Sequence, residues 1–305
     1  LHALPVFHVH GLFVALHTAF LNGSRMLWRS RFDVEEVMRL LPEATVMMGV
    51  PTFYTRLLAR EDFTRDQCRS MRLFVSGSAP LLAETHQAFQ ERSGHRILER
   101  YGMTEAGMIT SNPYQGGQRV AGTVGYALPG ISLRVADEGG RELAAGDIGT
   151  LEVRGPNVFK GYWRMPEKTA EEFRDDGYFI TGDMATIAED GRVSIVGRSK
   201  DLIISGGFNV YPKEIEQELD QLEGIGESAV IGLAHPDFGE GVVAVVTSAG
   251  SVPANEADII SALDGRLARF KLPKRVFVVD ALPRNAMGKV QKAELRVRFA
   301  GTFEG

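Results

Sequence analysis

Short apolar runs alternate with amphipathic stretches along the first third of the chain. Residues 4–20 suggest a buried turn and helix, and the strand-like runs are residues 26–28, 45–50, 73–76 and 96–98. Amphipathic segments between them predict helices that begin at Asp33 as N-cap, at Pro51, and near Leu82. The alternation of strands with helices predicts an α/β fold over residues 1–121, built on a doubly wound parallel sheet.

The pattern changes after Asn112. Glycine, proline and aspartate clusters separate short strand candidates at residues 123–137, 149–154, 178–180 and 192–196, with Asp190-Gly191 as a hairpin turn. Residues 122–199 are therefore predicted to form a β-rich, mainly antiparallel subdomain. Beyond them, strands at 228–231, 242–247 and 275–279 and helices at 212–222, 256–267 and 289–299 predict a smaller α+β domain over residues 200–305.

Composition narrows the class of protein. The 305 residues are 44% hydrophobic and 24% charged, with a formal net charge of −5, which gives no electrostatic case for nucleic acid binding. The single cysteine, Cys68, excludes an intrachain disulfide framework and favours a cytoplasmic location. No apolar run reaches the ~18 residues that span a bilayer. The chain begins at Leu1, within core-like sequence, and we expect it to be part of a longer protein.

Two segments follow predicted parallel strands, where ligands of such sheets bind. One is residues 76–78. The other runs from Tyr101 through Gly102 and Thr104 to Glu105 and offers an aromatic ring, a hydroxyl and a carboxylate. A ring can stack on a base, a hydroxyl can contact a phosphate, and a carboxylate can hold Mg²⁺. The alternative is an ordinary surface loop.

Further candidates lie near the start of the third domain. Asp183, in a predicted Gly-Asp turn, has a carboxylate that could accept hydrogen bonds from both hydroxyls of a ribose, or it could simply favour the turn. Arg198 could reach a phosphate or a ribose. The paired Gly206 and Gly207 suit a hinge or the close approach of a ligand to the backbone, although a solvated linker would also fit.

Several charged or reactive residues are ambiguous. Lys289 is predicted in the first turn of a helix, where a cation opposes the helix dipole. A lysine at this position would be explained either by an anionic partner or by plain solvation. Arg56, in an apolar helix, either extends to water or binds a substrate carboxylate. His8 and His10 lack a nearby carboxylate or cysteine, so core or substrate-wall roles are favoured over metal binding. Cys68 has no neighbouring histidine and is not expected to be a nucleophile.

These segments together resemble the adenylate-forming acyl-CoA synthetases. The motifs that recur in order are Tyr101–Glu105, Thr181-Gly182-Asp183, Gly197-Arg198 with the Gly206-Gly207 turn, and Pro283–Lys289. The chain is most similar to the malonyl-CoA and methylmalonyl-CoA synthetases, on the residues of 50–56, 76–80 and 207–213. The resemblance covers the whole chain. One family element, the Ser/Thr/Gly-rich phosphate loop with its lysine, has no match in residues 1–305, so the resemblance implies that much of the large domain is absent.

The resemblance implies an acid–thiol ligase that activates malonate or methylmalonate with ATP and Mg²⁺ and transfers the acyl group to CoA. It implies that Tyr101 and Gly102 adjoin adenine, Thr104 contacts the α-phosphate, Glu105 holds Mg²⁺, and Asp183 and Arg198 bind ribose. It also implies that Lys289 serves adenylation, that Lys200 is the hinge of a mobile C-terminal domain, and that Gly206-Gly207 lines the pantetheine path. His10, Arg56 and Ser78 would bind the acid.

Two alternatives to this function remain open at this point. A related synthetase for fatty or aromatic acids is the alternative enzyme, and a fragment that binds nucleotide weakly or not at all is the non-enzymatic one. The expected partners are small molecules, with no nucleic acid and no membrane span. A protein acyltransferase that modifies Lys289 is a further partner that the resemblance suggests.

Overall fold

The computed structural model describes residues 1–249, 255–285 and 288–303. Contacts divide the chain into two compact units, Leu1–Thr181 with Ala185–Ile195, and Gly182–Met184 with Val196–Gly305. The described helices are α1 His17–Leu21, α2 Val34–Leu40, α3 Pro51–Leu58, α4 Ala83–Ser93, α5 Pro166–Glu171, α6 Pro212–Leu219, α7 Glu256–Leu263 and α8 Lys292–Arg298. None of them is long and apolar enough to cross a membrane.

The first unit contains a five-stranded sheet. Its strands lie in the order β1 Val46–Gly49, β2 Leu73–Ser76, β3 Leu98–Met103, β4 Gly107–Ser111 and β5 Tyr126–Ala127. Strands β1, β2 and β3 are parallel, whereas β4 is antiparallel to both β3 and β5. The predicted α/β class is confirmed. The last residue of β2, Ser76, is paired with Glu99, and β3 continues beyond that pair to Met103, so residues 76–78 lie at the edge of the sheet along which the second half of β3 extends.

Local signals start the helices of this unit where the sequence predicts. Asp33 accepts a hydrogen bond from the Glu36 amide at 3.0 Å, and Pro51 occupies the first turn of α3, where no amide donor is needed. The helices pack through aromatic side chains: Tyr54 on α3 lies edge-on to Phe89 on α4, with ring centroids 5.2 Å apart. Both rings are fully buried.

A second sheet of this part of the chain has the order β6 Ser132–Ala136, β7 Gly149–Arg154, β8 Phe179–Ile187 and β9 Val193–Arg198. Glu152 on β7 is completely buried and is paired with Arg134 at 2.7 Å and Arg174 at 2.8 Å. The two guanidinium groups compensate a carboxylate that could not otherwise be desolvated.

The remaining unit is built on a sheet with the order β11 Phe208–Val210, β10 Ile203–Ser205, β13 Gly239–Ser248 and β12 Ile225–His235, and β14 Arg275–Val279 pairs with β13. Side chains alternate along β13. Val242, Ala244 and Val246 pack with helices α6 and α7, whereas Val243 and Val245 pack with Leu295 of α8. Apolar clusters therefore cover both faces of this sheet.

Three local predictions for residues 1–199 are wrong. The segment before α1 is a π-helix, His10–Leu16, and Phe7, Phe13 and Phe20 are exposed although residues 4–20 were expected to be buried. Residues 26–28 form only an isolated bridge between His2 and Trp28. β8 does not end in a Gly-Asp turn: it continues through Gly182, whose φ of +68° is accommodated within the strand because glycine lacks a Cβ.

The helix predicted at residue 289 begins instead at Lys292. Before it, Arg284 and Val290 form an isolated antiparallel bridge, and residues 284–285 and 288–290 are called the Lys289 hairpin below. The Lys289 amide donates to Asn285 Oδ1 at 3.0 Å, and the Asn285 amide donates to the Lys289 carbonyl at 3.0 Å. Lys289 therefore lies outside the helix, and its ammonium is not in the first helical turn where it would oppose the helix dipole. Ala286 and Met287 of the same motif lie outside the described residues.

Candidate active site

The Tyr101–Glu105 segment is a tight hairpin rather than an open loop. Tyr101 and Gly102 belong to β3, and the turn that leads into β4 carries Thr104, which is exposed, and Glu105, which is half-buried. A Cβ on Gly102 would lie 2.1 Å from the Gly107 carbonyl oxygen, so this position requires glycine. The aromatic ring is thus held by a strand, while the hydroxyl and the carboxylate lie at the turn.

Glu105 is the residue predicted to bind Mg²⁺, and this role stays a prediction. Its Oε1 accepts a hydrogen bond from the Tyr162 hydroxyl at 3.2 Å, and no cation is paired with it among the described residues. Desolvation, and then the negative Glu105, raise the pKa of Tyr162. The described part of the chain contains no group of three or more His, Cys, Asp or Glu residues suited to a metal. One carboxylate is nevertheless sufficient, since Mg²⁺ is commonly bound by one or two carboxylates plus phosphates and waters.

A small cavity of about 20 Å³ lies beside the end of β2. His10, Ser78 and Arg100 line it, together with Val9, Gly77, Gly102, Gly107 and Met108. The ring nitrogen His10 Nδ1 is hydrogen-bonded to Ser78 Oγ at 3.0 Å. Ser78 has a φ of +71°, a strained conformation for a residue with a side chain, of the kind that proteins retain at functional positions. The structure therefore brings together two of the three residues predicted to bind the acid.

Burial keeps His10 neutral. The pKa of His10 is lowered from 6.5 to about 4, mainly by desolvation and secondly by the positive charge of Arg100. A neutral imidazole can both donate and accept a hydrogen bond, and it adds no charge to the cavity at pH 7.

The lowered pKa of His10 predicts how the free energy of unfolding depends on pH. Between pH 6.5 and about 4 the unfolded chain binds a proton at His10 and the folded chain does not, so the free energy of unfolding falls as the pH is lowered through this window. We expect His10→Asn to reduce that dependence, measured as the difference between denaturant-unfolding curves of the variant and the original chain. His17→Asn, at an exposed position, is the matched control. Parallel curves for His10→Asn and the original chain would contradict the prediction.

Arg100 is the residue that the sequence analysis missed. It lines the cavity, is half-buried, and donates from Nε to Ser111 Oγ at 3.2 Å; no carboxylate pairs with it among the described residues. Burial lowers the pKa of its guanidinium. A partly desolvated cation without a counter-ion favours binding of an anion. The available signal was a basic residue directly before Tyr101, at the start of the segment already singled out as a candidate site.

Arg56 occupies a different environment. It lies in the last turn of α3, is exposed, and makes no ion pair within the described ranges. Its predicted contact with the distal carboxylate of the acid stays a prediction.

Asp183 and Arg198 form an ion pair in the second unit. Arg198 Nε lies 2.7 Å from Asp183 Oδ1, and the carboxylate is almost completely buried whereas the guanidinium is partly exposed. Such an arrangement fixes the carboxylate, and its predicted contact with ribose hydroxyls stays a prediction.

Lys289 is an exposed residue on a braced hairpin. Arg284 is paired with Glu227 at 2.7 Å, and Lys292 with Glu216 at 2.6 Å, so charge pairs hold both sides of the hairpin. Although Lys289 is exposed overall, desolvation of its ammonium lowers its pKa, and the positive Arg198 adds to this effect while Asp183 opposes it. The charges of Asp183 and Arg198 therefore both affect the pKa of the Lys289 ammonium.

The predicted hinge and glycine turn also lie in this unit. Lys200 is exposed in a short 3-10 turn, and the adjacent Asp201 is paired with Arg296 at 2.7 Å. Gly206 and Gly207 connect β10 and β11 with φ values of +58° and +81°, which require glycine. A Cβ on Gly207 would meet no atom within 4 Å, so the backbone there is open to approach.

These motifs agree with a match to a known family. The AMP-binding enzyme family matches residues 1–163, more than half of the chain, and the AMP-binding enzyme C-terminal domain matches residues 214–289. The chain belongs to the AMP-binding enzyme family. The resemblance to adenylate-forming enzymes inferred from the sequence is thereby confirmed.

Individual relatives are similar over nearly the whole chain. Malonate–CoA ligase of Arabidopsis thaliana is 38% identical over 97% of this chain and 53% of that protein. Feruloyl-CoA synthase of an Amycolatopsis species is 37% identical over 97% of this chain and 61% of that protein. The crystal structure of ATP-bound MatB from Rhodopseudomonas palustris superposes with a TM-score of 0.97 at 58% identity, covering 99% of this chain and 60% of that one. The chain thus spans little more than half the length of these relatives.

Proposed function

We propose that the protein is an acid–CoA ligase that activates malonate or methylmalonate with ATP and transfers the acyl group to CoA. Membership of the AMP-binding enzyme family supports the reaction class. Similarity to a malonate–CoA ligase, and to a protein whose structure contains ATP, supports the substrates.

The observation that carries the choice of acid is Arg100, which has no carboxylate partner among the described residues and lines a small cavity together with His10 and Ser78. A dicarboxylate would place its second carboxylate against Arg100, His10 and Ser78, which together offer one positive charge and two hydrogen-bonding groups. A fatty acid would leave this cation without a partner. We therefore add Arg100 to the predicted acid-binding residues, beside His10, Arg56 and Ser78.

In the first half-reaction, a carboxylate oxygen of the acid attacks the α-phosphorus of ATP, the bond to the pyrophosphate oxygen breaks, and pyrophosphate leaves. A carboxylate needs no further activation, so the protein mainly positions the groups and offsets charge. In this proposal Tyr101 stacks on adenine beside Gly102, Thr104 contacts the α-phosphate, and Asp183 with Arg198 holds the ribose. Glu105 would hold Mg²⁺, which when bound supplies positive charge to the phosphates.

Lys289 serves only this first step. Its ammonium donates hydrogen bonds to the carboxylate and phosphate oxygens while negative charge redistributes between them. We propose that the C-terminal domain, residues 200–305, then turns about Lys200 and withdraws Lys289. The CoA sulfur attacks the acyl carbonyl carbon, the bond to AMP breaks, and the thiol proton passes to solvent. Gly206 and Gly207 would border the pantetheine arm.

A panel of acids tests the choice of substrate. The natural polypeptide, whose intact mass is measured first, is assayed for pyrophosphate release with CoA and with malonate, methylmalonate, ferulate or a long-chain fatty acid. We expect malonate or methylmalonate to give a kcat/KM at least tenfold above the monocarboxylates, because only they neutralise Arg100. A preference for a monocarboxylate would contradict the proposal.

The alternative enzyme, a synthetase for aromatic or fatty acids, is favoured by the similarity to a feruloyl-CoA synthase. The alternative without activity, a polypeptide that binds nucleotide weakly or not at all, follows from the absence of a phosphate-loop match in residues 1–305. Pyrophosphate release separates the first alternative from our proposal. An intact mass equal to these 305 residues, together with no pyrophosphate release for any acid, would support the second.

Acylation of Lys289 by a protein acyltransferase and a cytoplasmic location stay predictions.

A further inference from the structure

A short segment, residues 157–162, is bound across the turn that carries Glu105. Asn157 Nδ2 donates to the Ala106 carbonyl at 2.7 Å, and the Phe159 amide donates to the Glu105 carbonyl at 2.7 Å. The Tyr162 hydroxyl reaches Glu105 Oε1 at 3.2 Å. The first two contacts fix the backbone of the turn. The third acts on the carboxylate itself.

Tyr162 is in turn held in place on two sides. Its ring lies edge-on to Phe159 with centroids 4.8 Å apart, and its amide donates to Thr169 Oγ1 at 2.9 Å. Phe159 packs in the buried cluster that includes Ala106, the residue after Glu105. The hydroxyl is therefore presented from a braced position, not from a freely rotating side chain.

The contact leaves the carboxylate available to a metal. An ionised carboxylate only accepts hydrogen bonds, so the tyrosine hydroxyl must donate, and it does so to one oxygen. The other oxygen, Oε2, makes no hydrogen bond within the described part of the chain. A carboxylate held by one oxygen and free at the other resembles the outer-shell support that metal-binding side chains commonly receive.

We propose that Tyr162 is a positioning residue for Glu105, orienting its carboxylate so that the second oxygen faces the magnesium ion of Mg·ATP. This inference rests on the proposed function, in which Glu105 holds Mg²⁺. Without the hydroxyl, the Glu105 side chain can rotate among several conformations and must be ordered each time the metal binds. The effect of Tyr162 should therefore depend on the presence of the metal.

The test is calorimetric titration of the full-length protein with ATP, without acid or CoA so that no reaction occurs. Each variant is titrated twice, with magnesium-saturated ATP and with ATP in excess EDTA. For Tyr162→Phe we expect the Kd of Mg·ATP to rise by about tenfold, as for other outer-shell changes at metal sites. The Kd of metal-free ATP should change less than about twofold.

Two further variants make the outcome decisive. Tyr126→Phe removes a hydroxyl that contacts Arg192 instead, and it should leave both affinities unchanged. Glu105→Gln should weaken Mg·ATP binding at least as much as Tyr162→Phe. Equal loss for Tyr162→Phe with and without metal, or no loss in either, would overturn the positioning role. Unchanged Mg·ATP binding in Glu105→Gln would instead overturn the role of Glu105 on which the inference rests.

Discussion

Replacing Lys289 with alanine is expected to slow acyl-adenylate formation by about 10²–10³-fold, the usual loss when one preorganised hydrogen-bond donor to transition-state charge is removed. The same change should leave thioester formation from supplied acyl-adenylate and CoA within about twofold, because the proposed domain rotation has already withdrawn the ammonium from the site. The first rate is measured as acid-dependent pyrophosphate release in a single turnover. The second is measured as thioester produced from the synthetic adenylate.

The contrast between the two steps is the informative result. Lys168→Ala removes an exposed lysine that is paired with Glu172, and it should change neither rate. The Lys289 hairpin is braced by pairs that do not involve its ammonium, so the alanine variant should retain its fold. Equal loss in both steps would show that Lys289 supports the structure or both reactions, which is not the role proposed.

Replacing Arg100 with glutamine should remove most of the preference for a dicarboxylic acid. A buried carboxylate left without its charged partner costs about 2–5 kcal/mol, so kcat/KM for malonate should fall by roughly 30- to 5,000-fold. A monocarboxylate has no second charge to satisfy, and its kcat/KM should change by less than about threefold. The measurement is the ratio of the two kcat/KM values in the pyrophosphate-release assay.

Arg56→Ala belongs in the same experiment because both arginines are candidates for the same carboxylate. The sequence predicts a large loss on malonate for Arg56, and the cavity at His10 and Ser78 predicts a larger one for Arg100. Arg39→Gln, at an exposed position of α2, is the control for loss of a positive charge. An unchanged acid preference in both Arg56→Ala and Arg100→Gln would remove the physical reason for naming malonate.

Local signals predicted much of the fold. Asp33 and Pro51 mark helix starts by capping chemistry that acts within a few residues, and both predictions are confirmed. The alternation of strand and helix similarly predicted the three parallel strands of the first sheet. The prediction at Gly182-Asp183 was wrong because a glycine before an aspartate is typical of a turn, whereas pairing with β7 and β9 on either side keeps this segment in the strand.

The site was only partly predictable for the same reason. Tyr101, Thr104 and Glu105 lie together because they are close in the chain, and the His10–Ser78 contact was anticipated only through family resemblance. Arg100 and Tyr162 were not predicted because their roles depend on residues distant in the sequence. Arg100 lines a cavity formed by three segments, and Tyr162 contacts Glu105, which lies 57 residues earlier. The helix wrongly predicted at Lys289 shows the converse error, since Pro283, Asn285 and Gly288 favour a turn that the apolar spacing of the next helix obscured.

The most direct measurement is isotope exchange between pyrophosphate and ATP in the complete absence of CoA. If adenylation is a separate first step, exchange should require malonate or methylmalonate and should proceed without any thiol. Lys289→Ala should slow this exchange by about 10²–10³-fold. Exchange that appears only when CoA is present, or that continues undiminished in Lys289→Ala, would contradict a cation that serves acid activation alone.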